Sequence, residues 1–140
     1  MKDTCCDAKV IAERTEQLKG SNFKLLNANA QTLLESMRNG ADGYCGIMCN
    51  YHPKLYAWLS KNYLSQPEKA DVVQGVLGSL AFTEVGVPYP LSAKYHMCLC
   101  GIDTPNIARN RKSEELTDYG RSCTQQMKLV TDKMEKELNI

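Results

Sequence analysis

Seven cysteines, two histidines and a lysine at position 2 are the side chains of this 140-residue chain with the most chemistry to offer. The cysteine spacing does not suit a zinc centre: Cys5 and Cys6 are adjacent, Cys45 and Cys49 are four apart, and Cys98 and Cys100 flank one leucine. A structural zinc site presents paired C-x-x-C knuckles or histidines at helical spacing. No metal is therefore expected, and the thiols read as reduced, mostly buried small apolar groups in a cytoplasmic protein. His52, directly before Pro53, and His96, in an apolar stretch, both read as structural. Tyr44 and Tyr51 read as packing or rim residues. An uncharged lysine amine is a nucleophile, yet Lys2, taken alone in Met1-Lys-Asp-Thr-Cys-Cys-Asp7, reads as a solvated terminal charge.

The elements that must position these groups alternate over the first half of the chain. Asp7 is a candidate N-cap for a helix to about Lys19, with Gly20 as its stop. Phe23–Ala28 reads as a short buried strand, and Ala30–Asn39 as a helix carrying Leu33, Leu34 and Met37 at helical spacing. Gly43–Cys49 reads as a further strand, and Pro53 opens a helix to about Tyr63. With Met1–Thr4 as the end of a preceding strand, the pattern holds three parallel βα units. Beyond Gln66-Pro67 only helices are expected: Glu68–Val85, Leu91–Cys100 and Ser113–Leu138. In the last, Leu116, Tyr119, Cys123, Met127, Val130, Met134 and Leu138 form one apolar stripe, read as a packing face. The expected organisation is thus residues 1–65 as βα units and 66–140 as a helical region.

Composition excludes some functions. A net charge of +1 leaves no electrostatic footprint for nucleic acid or an anionic membrane. With 43% hydrophobic and 24% charged residues the composition is that of a globular domain. No run approaches the roughly 18 apolar residues of a membrane span, and the N-terminus lacks the apolar stretch of a secretory signal. A single domain, no nucleic-acid partner, no membrane partner and a cytoplasmic location are the expectations.

Three motifs in order carry a resemblance. Lys2-Asp-Thr-Cys-Cys-Asp7 is followed by Phe23-Lys-Leu-Leu-Asn-Ala-Asn29 with Leu33-Leu-Glu-Ser36, and then by Gly40-Ala-Asp-Gly-Tyr-Cys-Gly-Ile-Met-Cys-Asn50. Together they resemble strands six, seven and eight of the dihydrodipicolinate synthase / N-acetylneuraminate lyase family of pyruvate-dependent class I aldolases. Tyr89-Pro-Leu-Ser-Ala-Lys94 is similar to the start of a C-terminal helix in that family. The resemblance spans nearly the whole chain and rests on the order and spacing of the motifs.

It implies an α/β fold: the C-terminal part of a (β/α)8 TIM barrel, strands 6–8 with their helices, followed by a C-terminal helical region. It implies a lyase in which Lys2 condenses with pyruvate or another 2-oxo acid, so that the imine promotes carbon–carbon bond formation or cleavage. The lysine imine stands in place of a cofactor. By the same resemblance Asn27, Ala28 and Asn29 face the substrate, and Cys45 and Gly46 leave room beside the imine. The family's acid/base tyrosine, its Gly-Thr-Thr-Gly-Glu-like loop and strands one to five precede the lysine, and no segment here supplies them. The expected partners are therefore a small 2-oxo acid and either further copies of the chain or an N-terminal half. The other function class is a non-catalytic half-barrel that acts by association alone.

Overall fold

Each strand of the sheet is only two residues long, and each is followed by a helix that covers it. The computed structural model describes residues 1–140, the side chains of Glu84 and Val85 excepted. In chain order, β1 (Lys2–Asp3), α1 (Ala8–Gln17), β2 (Leu26–Asn27), α2 (Leu33–Arg38), β3 (Gly43–Tyr44) and α3 (Pro53–Asn62) make the βα part. Then come α4 (Pro67–Val85), α5 (Leu91–Leu99) and α6 (Asp118–Leu138), with 3-10 turns at Ile47–Asn50 and Ser113–Glu115. The strands run parallel in the order β1-β2-β3, with Lys2 beside Leu26 and Leu26 beside Gly43.

The second residue of every strand is tied to the helix layer. Asp3 forms an ion pair with Arg14 of α1. Asn27 donates from Nδ2 to Ser36 Oγ of α2 at 3.0 Å, and the Tyr44 ring stacks on Tyr56 of α3 at 4.4 Å between centroids. These three share one sheet row, as the two-residue alternation of a strand requires. Lys2 lies in the other row, with Leu26 and Gly43.

The strands are shorter than the predicted Phe23–Ala28 and Gly43–Cys49, for a local reason. Asp3 Oδ1 accepts the Cys5 backbone N–H at 2.9 Å, and Asn27 Oδ1 accepts that of Asn29 at 2.8 Å. Such side-chain turns compete with the ladder for backbone donors and curl the chain out of the sheet. Beyond Tyr44 the chain enters the 3-10 turn instead of continuing as strand.

Helix limits follow their caps. Asp7 accepts from Lys9 N at 2.9 Å and Val10 N at 3.2 Å, opening α1. Thr117 accepts from Gly120 N at 3.3 Å, which starts α6 five residues after the predicted Ser113. Pro53 is the first residue of α3.

One hydrophobic cluster draws on both halves of the sequence. Leu33, Leu34 and Met37 of α2, Leu55 and Leu59 of α3, Val73 and Leu77 of α4 and Met127 of α6 are buried together. Each such side chain contributes roughly 1.5–3 kcal/mol by leaving water. Gln74 of α4 fastens this joint: its Nε2 donates to Ala30 O at 2.9 Å and its Oε1 accepts from Leu34 N at 3.0 Å. A smaller cluster of Ile11, Leu25 and Ala41 lies beneath α1.

Two expectations are corrected here. The apolar stripe of the last helix is its packing face only in part: Leu116 and Met127 are buried and Met134 and Leu138 pack against the main cluster, but Tyr119 is 74% exposed and Val130 45%, and Gly120, Thr124 and Thr131 are buried beside Met127. The threonines bury without loss because Thr124 Oγ1 donates to Gly120 O at 2.9 Å and Thr131 Oγ1 to Met127 O at 3.1 Å. The cysteines are free, as read, but not mostly buried: Cys5, Cys6, Cys45, Cys98 and Cys100 are exposed, and Cys49 and Cys123 partly so. Among the described residues no helix is long and apolar enough to cross a membrane.

Candidate functional site

The residues just past each strand gather at one end of the sheet and enclose a cleft of about 340 Å³. Parallel βα units leave such openings at the carboxyl ends of their strands. The cleft is built from Lys2, Thr4 and Cys6 on the β1 side, Ala28, Asn29 and Gln31 after β2, and Tyr44 and Gly46 on the β3 side. Lys2 is the one charged side chain among the described residues lining it, and no described carboxylate joins it there. The local charge is therefore suited to an anionic ligand.

The predicted site residues divide. Lys2, Ala28, Asn29 and Gly46 come together around the cleft. Asn27 does not face it: the side chain is wholly buried, donating to Thr32 Oγ1 and Ser36 Oγ at 3.0 Å each and accepting from Asn29 N. Its hydrogen bonds to Thr32 and Ser36 hold it against α2, and the one it accepts from Asn29 N shapes the loop that carries Ala28 and Asn29. Cys45 is exposed but is not among the residues lining the cleft.

Asn29 is held in turn. Its Oδ1 accepts from Thr32 N at 3.0 Å and Thr32 Oγ1 at 2.9 Å, and its Nδ2 donates to Gln31 Oε1 at 2.9 Å. Two hydrogen-bonded amides thus join Lys2 in the lining of the cleft. On the β1 side, Asp3 stays ionised in spite of its burial. The Cys5 thiol and backbone N–H, together with Arg14, lower its pKa to about 2. This anchors the turn from Lys2 into α1, where Cys6 adopts a left-handed conformation with φ +58°.

Gly46 has a more specific role than leaving space. A Cβ at position 46 would overlap the hydroxyl end of the Tyr44 ring. That ring lies along its own strand end, clamped against Tyr56 with only 18° between the planes. Burial, with Tyr44 alongside, pushes the Tyr56 hydroxyl far above its ordinary pKa, so it remains neutral.

Thr4, Cys6 and Gln31 were not singled out from the sequence, whereas Tyr44, expected as a packing or rim residue, is both. The available signal was positional: with strands of two residues, the positions next after each strand become the rim. Among the described residues no group of three histidine, cysteine or acidic side chains could hold a metal ion.

A family match covers most of the chain: the dihydrodipicolinate synthetase family matches residues 1–127. Among solved structures, a monomeric dihydrodipicolinate synthase variant superposes with a TM-score of 0.79 at 20% identity, over 94% of this chain and 44% of its own. A protein assigned as a dihydrodipicolinate synthetase from Pseudomonas aeruginosa gives 0.77 at 20% identity, over 93% and 44%. One assigned as a dihydrodipicolinate synthase from Thermus thermophilus gives 0.70 at 21% identity, over 92% and 45%. The chain therefore has the fold of part of these proteins and spans less than half their length. No curated protein matches it.

Proposed function

The chain belongs to the dihydrodipicolinate synthetase family, and on that premise we propose that it carries the nucleophile of a lyase acting through a lysine–2-oxo-acid imine. The observation that carries this reading is the setting of Lys2: an exposed residue of β1, opening on a cleft whose described lining holds no carboxylate. In the proposed reaction the neutral amine adds to the ketone carbon of pyruvate or a related acid, and water leaves. The iminium so formed draws electrons from the neighbouring carbon, where a carbon–carbon bond forms or breaks. Ala28 adds little bulk beside Lys2, and Asn29 with Gln31 offers polar contacts for the acid. No cofactor beyond the imine enters this scheme, and seven free thiols accord with a reducing, cytoplasmic setting.

A second reading is favoured by the extent of the match. The chain spans 44–45% of the structures it resembles, and among the described residues β1 and β3 each pair on one side only. Unpaired parallel edges invite a further strand. The second reading is a half-barrel that works by association, with copies of itself or with a chain supplying the remaining strands.

Reduction with borohydride in the presence of pyruvate distinguishes the two. The imine reading expects a stable reduced adduct on the wild-type chain that Lys2→Met abolishes. Stable association without any adduct, alone or with a complementary chain present, would leave only the second reading.

A further inference from the structure

Resting on the Lys2 imine reading, we propose that Tyr44 sets the size of the 2-oxo acid this cleft accepts, with its ring acting as a steric wall. Tyr44 is the one aromatic side chain among the described residues lining the cleft, where its neighbours include Ala28, Ala30 and Gly46. Small residues at a site would ordinarily leave room for a longer substrate. Here the space that a side chain at position 46 would take is already filled by the hydroxyl end of the Tyr44 ring.

The ring is fixed from two sides. Its face stacks on Tyr56, itself buried with 3% exposure in the main core. Its edge fits over Gly46, where even one added carbon would collide with it. A stacked aromatic pair adds about 0.5–1.5 kcal/mol beyond burial, so moving the ring to admit a larger acid carries a cost. Interior-like packing resists such adjustment in discrete steps. The wall is made by ring atoms, so the phenol oxygen is not needed for it.

The test compares pyruvate with 2-oxobutyrate, which is one methylene longer, in the rate of borohydride trapping on Lys2. A pocket that senses a methylene discriminates by ~10–200-fold. The wild-type chain is expected to trap pyruvate at least about tenfold faster. Tyr44→Phe, which keeps the ring, should preserve that ratio. Tyr44→Ala should bring it close to unity. Gly46→Ala, which displaces the ring without removing it, should also narrow the ratio and serves if loss of the Tyr56 stack prevents the alanine variant from folding. A wild-type preference that survives both Tyr44→Ala and Gly46→Ala would overturn the wall while leaving Lys2 as nucleophile. The same holds if the wild type shows no preference. No adduct with either acid would overturn the Lys2 reading and the wall with it.

Discussion

His52 and His96 meet edge to face in the interior, their ring centroids 5.5 Å apart and three of their four ring nitrogens without a hydrogen-bond partner. His52 immediately precedes α3 and His96 lies on α5, so the pair joins the βα part to the helical region. The fourth nitrogen, His96 Nδ1, lies 3.7 Å from Cys100 Sγ. Burial, then the neighbouring His96, pushes His52 down to about 3. Burial and Lys128 lower His96, with Asp132 partly offsetting them.

This arrangement gives stability a definite pH dependence. In the unfolded chain both imidazoles titrate near their ordinary value, so below about pH 6.5 that chain binds protons the folded one refuses. Stability is then complete above about pH 6.5 and is lost as pH falls toward 3, by ~1.4 kcal/mol per pH unit for each proton taken up. Urea midpoints should hold level down to about pH 6.5 and fall steadily from there to about pH 5, and His52→Gln should make the decline shallower. A midpoint unchanged over that range would contradict neutral burial of the pair.

Asp3 acts in a lower window and with the opposite charge. Its carboxyl is held at about 2 in the folded chain, so its contribution is present above the ordinary carboxylate value and disappears as pH falls from there toward 2. Asp3→Ala strips the Cys5 N–H and Arg14 of their partner. We expect a loss of about 2 kcal/mol near neutral pH, measured by urea unfolding. A change below about 0.5 kcal/mol would show that the ion pair does not hold the turn.

Gln74 offers a test of the joint between the halves. Gln74→Ala leaves the Leu34 N–H and Ala30 carbonyl without the partner that α4 supplies. Each unsatisfied group costs ~1–3 kcal/mol, so a loss of about 2 kcal/mol is expected. Hydrogen exchange at Leu34 should quicken in the variant. Unaltered exchange would mean the amide finds another partner.

The face of α6 can be tested by contrast. Met127→Ala should cost ~2–5 kcal/mol because Met127 is buried in the main cluster. Tyr119→Ser, at an exposed position of the predicted stripe, should stay within about 0.5 kcal/mol. Equal costs at the two positions would contradict an exposed Tyr119.

These contrasts show what was legible in the residues. Asp7, Pro53 and the leucines of α2 and α3 marked element starts and cores because capping and periodicity are local physics. Lys2 and the three ordered motifs gave the fold class. The buried face of α6 was hidden because Thr124 and Thr131 satisfy their own hydroxyls, which residue type does not announce. Asn27 was expected at the substrate and serves α2 instead, since a register of Asp3, Asn27 and Tyr44 in one row becomes visible only once the strands are paired. The partnership of Tyr44 with Gly46 required the ring conformation itself.

The most direct measurement is peptide mapping after borohydride reduction of the chain with carbon-13-labelled pyruvate. If Lys2 is the nucleophile, the label appears as a reduced keto-acid adduct on the N-terminal peptide at Lys2, and Lys2→Met abolishes it. A chain that stays unlabelled, with or without a complementary N-terminal half, or one labelled equally at other lysines, would contradict it.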